Sequence, residues 1–291
     1  MNNRILKILS VGCCFFATAP SMAADGKILA TAGLSQVEGS GGGGLVPWAT
    51  LAGYDSQDET AASFFMSDVN VSDFRMTSIG VATSFYDRVE LSYAQQTFVL
   101  PESLISGLSL TSEQIKQDIV GLKVRLYGDA VYSAYPQVSA GVQYKQLDSD
   151  TVALKVGAKT DSGTDFYVAA TKVHLGAVAG YNLVWNVAAR ATKANEMGLL
   201  GFSGPDNNDY QVMMEGSVGL LLSPNWVVGM EYRQKPNNLS IVEDDWTDVF
   251  VSYLPNKNVN ITAAYVDLGT VATKKDQKGI YLAMSGDLWL W

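Results

Sequence analysis

Several stretches of the chain alternate between large apolar residues and small or polar ones. Trp226, Val228, Met230 and Tyr232 are separated by Val227, Gly229, Glu231 and Arg233. Val120, Leu122, Val124 and Leu126 interleave with Gly121, Lys123, Arg125 and Tyr127. Pro136, Val138, Ala140, Val142 and Tyr144 interleave with Gln137, Ser139, Gly141, Gln143 and Lys145, and Val89, Leu91 and Tyr93 with Glu90, Ser92 and Ala94. A period of two places successive side chains on opposite faces of a strand, so each stretch predicts a strand with one greasy and one wet face. A soluble sandwich gives the same alternation, and the architecture has to be read from the links between strands.

Those links alternate in length. Residues 86–88, 128–133, 180–181, 222–225 and 254–258 are tight, whereas 101–112, 147–163, 193–209 and 234–244 are long and polar. Short turns at one end and long loops at the other are the pattern of an outer-membrane barrel. The scheme predicts an all-β fold, a transmembrane antiparallel β-barrel of about 12 strands. They fall near 45–55, 72–85, 88–98, 115–127, 134–147, 164–176, 181–193, 209–222, 225–235, 245–254, 258–269 and 278–291. Regions 26–38 and 60–70 each have the character of a further strand, which leaves 14 open.

The start of the chain reads as an export signal. Arg4 and Lys7 precede an apolar run over 8–19, Pro20 breaks it, and Ser21-Met22-Ala23 supplies small residues before a cut after Ala23. The domain organisation expected is a signal peptide over 1–23, a Gly-rich segment over 24–44 that serves as a plug or an extra strand, and a barrel over 45–291. Cleavage removes Cys13 and Cys14, the only cysteines, so the mature chain has no disulfide, no Cys-ligated zinc and no iron–sulfur cluster. Beyond the signal there is no clean apolar run long enough for a membrane helix. The nearest, 173–189, is broken by His174, Gly176, Gly180, Asn182 and Asn186.

Composition agrees. Charged residues are 17% and hydrophobic ones 47%, which excludes a disordered chain, a coiled coil and collagen. Acidic residues outnumber basic ones 29 to 20, which argues against nucleic acid as a partner, because phosphates demand a basic face. The expected location is the outer membrane of a Gram-negative cell, with its lipid as surroundings. Gly286, Trp289 and Trp291 are similar to the terminal strand signal read by barrel-assembly machinery, a further expected partner, although Met284 stands where that signal has a polar residue.

Several motifs together resemble a known family. They are Gly42-Gly-Gly-Leu-Val-Pro-Trp-Ala49, Tyr86-Asp-Arg-Val-Glu-Leu-Ser-Tyr-Ala94, Gly128-Asp-Ala-Val-Tyr132 and Gly198-Leu-Leu-Gly-Phe202. Glu231-Tyr-Arg-Gln-Lys-Pro-Asn-Asn-Leu239, Pro255-Asn-Lys-Asn-Val259 and Ala263-Ala-Tyr-Val-Asp-Leu-Gly269 complete the set. The chain resembles, over roughly 28–291, a proteobacterial family of exported proteins that carries only a domain-of-unknown-function label. The resemblance implies an outer-membrane protein and brings no activity, cofactor or site residue with it.

Candidate chemistry is sparse. His174 is the only histidine, which removes any two-His metal site. Outer-membrane phospholipases pair a serine with a histidine, but Lys-Val-His-Leu-Gly around His174 lacks their His-x-Ser-Asn-Gly pattern, so a lipid hydrolase ranks last among the readings. The glycine run 41–44 has no Gly-Lys-Ser/Thr after it and reads as a flexible lead into the first strand. The acidic stretch Glu243-Asp244-Asp245, with Asp248 beyond it, has hard oxygen ligands but no ordered calcium-loop spacing, and reads as a solvated loop. No cofactor and no catalytic residue is implied.

Strand parity assigns an inner face instead. Glu90, Lys123, Arg125, Lys145, Lys172, His174, Arg190, Glu215, Glu231 and Arg233 are expected to line the lumen, together with Gln143, Asn182, Asn186 and Asp248. Such charges must be paired or wet, because unpaired burial costs several kcal/mol. The leading reading is a small channel or uptake barrel for low-molecular-weight polar solutes. The alternative is a structural or adhesive barrel that transports nothing. Its cue would be aromatic residues on long outer loops, such as Phe202 within 193–209.

Overall fold

Twelve stretches of period-two sequence form one closed wall. The computed structural model describes residues 30, 34–107, 109, 114–241 and 243–289. A two-stranded ladder, β1 (Leu34–Ser35) and β2 (Gly41–Gly42), stands apart from the wall. The wall is β3 (Thr60–Val71), β4 (Arg75–Phe85), β5 (Val89–Val99), β6 (Gln114–Tyr127), β7 (Gln137–Leu147) and β8 (Ser162–Val178). It continues as β9 (Tyr181–Thr192), β10 (Gln211–Ser223), β11 (Trp226–Arg233), β12 (Trp246–Asn256), β13 (Val259–Asp267) and β14 (Lys278–Trp289). Each strand pairs antiparallel with its sequence neighbour, and β14 pairs with β3 in the register Tyr281↔Val69 to close the barrel. Closure leaves no sheet edge, the condition for a sheet to sit in hydrocarbon.

The outer face is apolar. Phe64, Ile79, Leu91, Val120, Val168, Val187, Met230, Val249 and Ile261 all point outward and are exposed. A band of that extent around a closed barrel is covered by lipid, and the protein is an outer-membrane β-barrel. Among the described residues no helix is long and apolar enough to cross a membrane; the strands do so.

The tight turns gather at one end. Tyr86 (φ 55°) and Asp87 (φ 51°) both adopt left-handed backbone, the requirement of a type I′ hairpin, and the Asp87 carboxylate pairs with Arg125. Links 179–180, 224–225 and 257–258 lie at the same end, as does the longer 128–136. Links 100–113, 148–161, 193–210, 234–245 and 268–277 lie at the other, with 72–74 as its single short member.

The first expected strand is displaced. Residues 45–55 form no strand, and the wall begins at β3, in the region that sequence reading left as a spare. Two features hid this. Pro47 cannot donate to a ladder, and 45–55 is apolar on both sides, as befits a segment buried all round. In β3 the inward set Ala61, Ser63, Phe65, Ser67 and Val69 mixes small and large residues, which blurs its alternation. The expected boundary between residues 44 and 45 is therefore not a structural one: residues 36–55 are buried without interruption. The expected signal peptide and Trp291 lie outside the described residues. Gly286 and Trp289 belong to β14, opposite Phe64 and Ala61.

Candidate functional site in the barrel lumen

The lumen is occupied by the chain's own N-terminal segment. Gly53 packs against Ala61 and Ser84, and the Asp87 amide donates to Asp55 Oδ2 at 2.7 Å, so the segment leaves for β3 at the tight-turn end. Between Gln36 and Asp55 it folds back and forth inside the wall. Its polar backbone groups take their partners from the inward side chains of the strands, which is how a non-helical segment can be buried at all.

A network of charges holds one lobe of this segment. Glu38 is its centre: Arg233 lies 2.8 Å from one carboxylate oxygen, Arg190 3.3 Å from the same oxygen, and Lys145 pairs with the other. Arg190 also binds Glu215 at 2.6 Å and Asp165 at 3.4 Å, Lys145 binds Asp165 at 2.7 Å, and Arg233 reaches Glu215 at 3.5 Å. Three cations and three carboxylates thus balance with every partner buried, the condition under which buried ions are tolerated. The second lobe rests on Lys123 and Glu90. Lys123 donates to Gly41 O at 2.7 Å, Thr50 O at 2.9 Å and Glu90 at 3.1 Å, while Glu90 accepts from the Gly41 and Ala52 amides at 3.1 and 2.7 Å.

Backbone carbonyls of the segment complete the fit. Ser78 and Gln96 both donate to Val37 O, at 2.6 and 3.0 Å, Gln137 donates to Ala49 O at 2.8 Å, and Asn186 donates to Pro47 O at 3.1 Å. Glu231 accepts from the Leu45 amide at 2.6 Å. The glycine run proves to be packed rather than loose. A Cβ on Gly43 would fall 1.6 Å from Glu231 Oε1, and one on Gly42 would fall 2.4 Å from Val46 O. Apolar side chains surround the rest of the segment in one buried cluster: Trp48 shares a small cavity with Val173, Val184, Val227 and Phe250, and Leu45 another with Val69, Phe74, Phe98, Trp246 and Val266.

The long loop 193–210 closes the other end by folding inward. Met197, Leu199, Leu200 and Phe202 are buried, so Phe202 offers no adhesive surface. Gln117 and Lys145 donate to Met197 O at 3.3 and 3.0 Å, and Lys235, from the next loop, binds both oxygens of Glu196 at 2.9 and 2.8 Å. Burial pushes the Glu243 carboxyl up to about 8, with the neighbouring Glu196 charge adding to the shift and Lys235 opposing it. Asp244 and Asp245 turn elsewhere, to the Thr270 and Lys235 amides, so the acidic stretch does not converge into a cation loop.

Of the expected inner-face residues, Glu90, Lys123, Lys145, Arg190, Glu215, Glu231 and Arg233 point inward and are buried, as do Gln143, Asn186 and Asp248. Arg125 has inward parity but sits at the tight-turn end, bound to Asp87 and to Gly128 O. Lys172 and His174 are corrections. The inward set of β8 is Asp165, Tyr167, Ala169, Thr171 and Val173, so both even-numbered residues lie on the outer face. They sit near the barrel end, where charged and polar groups reach the wet interface without facing the lumen. Lys172 is capped by the Asp129, Val131 and Ser133 carbonyls of the adjoining turn, and His174 Nε2 accepts from Trp185 Nε1 at 3.0 Å. Asn182 is at the tight turn, accepting from the Gly176 amide at 2.9 Å. Sequence reading missed Glu38 and Asp165. Parity with Tyr167 would have found Asp165; no alternation marks Glu38, which lies in no regular strand.

A family model described as a protein of unknown function, DUF3034, matches residues 31–285. No curated protein matches the chain in sequence. Among solved structures, the KdgM porin has a TM-score of 0.49 at 10% identity, covering 77% of this chain and 98% of that one. Omp33 of Acinetobacter baumannii has a TM-score of 0.48 at 11% identity, covering 80% and 100%. The NanC porin has a TM-score of 0.47 at 10% identity, covering 77% and 98%.

Proposed function

The chain belongs to the DUF3034 family, and from the geometry of its lumen we propose that it is an outer-membrane channel closed at rest by its own N-terminal segment. Release of that segment exposes a lumen lined by both signs of charge, through which small polar solutes pass. The observation that carries the reading is the source of the filling. A barrel built only as a scaffold can be packed by the side chains of its own wall, as eight-stranded barrels are. Here the space is filled by a separate stretch, residues 36–55, joined to the wall through residues 56–59 before β3.

Many of its fastenings are polar. Hydrogen bonds and ion pairs to Glu38, Gly41, Leu45, Ala49 and Thr50 lose their geometry together if the segment moves, and water replaces them on the wall. Once wetted, Lys123, Lys145, Arg190 and Arg233 stand among Glu90, Asp165, Glu215 and Glu231 on β5 to β11, so selection by size and hydrogen bonding fits better than selection by one sign of charge. The test is planar-bilayer conductance of the mature chain beside a variant lacking residues 34–55, both shown folded by heat-modifiable migration. The intact chain is expected to be closed with brief openings, and the deletion variant to give steady conductance steps. A folded deletion variant that stays silent across voltage would refute the channel and favour a scaffold barrel.

A further inference from the structure

We propose that the inner wall holds a binding site for an amphipathic carboxylate, a single acid group on an apolar body. Such a solute competes with the N-terminal segment by taking the places of Glu38 and Leu45. The inference rests on release of the segment as read above, and it names the class of solute that favours release and enters the lumen.

The segment itself outlines the ligand. The Glu38 carboxylate marks a point where three cations converge: Arg233 at 2.8 Å, Arg190 at 3.3 Å, and Lys145. All four side chains are buried. Gln36 Nε2 donates to Glu38 Oε2 at 3.0 Å and to Leu45 O at 2.9 Å. Arg233 Nη1 donates to the same two oxygens at 2.8 and 3.0 Å. The acid group and the aliphatic residue are therefore neighbours in space.

An apolar recess adjoins the cations. Leu45 lines a small cavity with Val69, Phe74, Phe98, Trp246 and Val266, and the Phe74 and Phe98 rings stack at 5.0 Å. Register joins this recess to the charged point: Arg233 on β11 and Trp246 on β12 are direct cross-strand partners, both facing inward. Among the described residues Glu196 is the only charged one on the lining, and Lys235 holds both its oxygens. A mostly apolar hollow with a few polar groups converging at one side is the ordinary form of a small-molecule site.

Charge and apolar area decide the ligand class. With Glu38 gone, Lys145, Arg190 and Arg233 face only Asp165 and Glu215, which leaves one positive charge in excess. A carboxylate restores the balance through charge-assisted hydrogen bonds to the arginine forks. Water serves the charged point well, but a recess bared to water costs free energy in proportion to its apolar area. A polar acid satisfies the first demand and a hydrocarbon the second; an amphipathic acid meets both. Because it binds only where the segment is absent, it shifts the equilibrium towards release. The lumen as a whole carries both signs of charge, and the surplus is local to this point.

The test uses the full-length barrel in lipid nanodiscs with octanoate as the probe. It reads saturable binding above empty discs together with protease cleavage within 36–55. One octanoate per chain is expected, with cleavage rising over the same concentrations. Each buried methylene adds about fourfold in affinity, so butanoate should need roughly a tenfold higher concentration or more. Octanamide, which lacks the charge, and gluconate, which lacks the apolar body, should neither bind nor expose the segment. Glu38→Gln should bind octanoate about tenfold more tightly or better, because the competing carboxylate is gone, and adding Arg233→Gln should cancel that gain. If the double variant does not fold, the octanamide comparison carries the charge argument. Binding and cleavage that stay at background, octanamide as effective as octanoate, or unchanged affinity in Glu38→Gln would overturn the proposal. Bilayer recording separates it from the channel reading. Conductance steps indifferent to octanoate sink the site and leave the channel, whereas octanoate-driven cleavage without conductance sinks the channel and leaves the site.

Discussion

Glu38→Gln isolates the fastening of the segment from the stability of the wall. Glu38 is the only carboxylate of the segment that meets Lys145, Arg190 and Arg233, and with Asp165 and Glu215 it brings that cluster to neutrality. The amide keeps the size and an acceptor oxygen but removes the charge. The seated state then holds three cations against two anions out of water, while the released state hydrates all five groups. Breaking one partner of a buried pair costs about 3–5 kcal/mol. Every 1.4 kcal/mol is about a tenfold change in an equilibrium, so the balance between seated and released segment shifts by roughly two to four orders of magnitude towards release. Single-channel recording reads this as a rise in open probability, up to saturation, and limited proteolysis reads it as cleavage within 36–55 with the barrel intact. A second substitution, Lys145→Met in the Glu38→Gln background, restores neutrality and is expected to recover much of the closure. A folded Glu38→Gln barrel with unchanged open probability and unchanged protection of 36–55 would refute both the release model and the weight given to this network.

Three further outcomes are expected. Ile79→Arg places a charge at the middle of β4 on the lipid face and should cost about 2–4 kcal/mol in bilayer refolding by urea titration, whereas Leu154→Arg, on an exposed loop helix, should cost nothing measurable. Gly42→Ala drives a methyl into Val46 O at 2.4 Å and Pro47 Cα at 2.9 Å, both backbone. It should unseat the segment, seen as protease sensitivity, without changing heat-modifiable migration. Glu243, raised to about 8 from an ordinary 4.5, holds its proton when the loop is packed and loses it when the loop opens. Its contribution is therefore full below about 4.5, declines as pH rises and is gone above about 8, so loop 234–245 should exchange or be cleaved faster at high pH, and Glu243→Gln should flatten that dependence.

The wall was legible because it obeys a two-residue period and because link lengths alternate. Parity alone placed Lys123, Lys145, Glu215, Glu231 and Arg233 inward, and the outward run Trp226, Met230 and Tyr232 is exposed. Parity fails on β8: the phase that puts Lys172 and His174 inward also puts Phe166 and Val168 inward, whereas all four lie on the outer face. The filling was not legible, for a physical reason. A segment buried on every side has no wet face, so its apolar residues carry no period; Leu45, Val46 and Trp48 read as a strand, and Glu38 read as part of a glycine-rich leader. Nor does any local feature tell that loop 193–210 turns inward. Its Phe202 packs over Gly163, whose own Cβ would lie 2.3 Å from that ring, a contact between residues distant in the chain.

The segment lies upstream of the wall it occupies, and this orders the birth of the protein. Glu38 meets Arg233 across 195 positions, and the Leu45 amide meets Glu231 across 186. While the chain is being made, the plug waits for part of its socket: β11, which carries Glu231 and Arg233, follows most of the wall, and the seam between β3 and β14 needs the last strand. Contacts so distant form slowly, because long loops must close before they reward the chain. An emerging polypeptide therefore carries Leu45 without its partners Trp246 and Val266, and Trp48 without Val227 and Phe250, until β11 to β13 have been made.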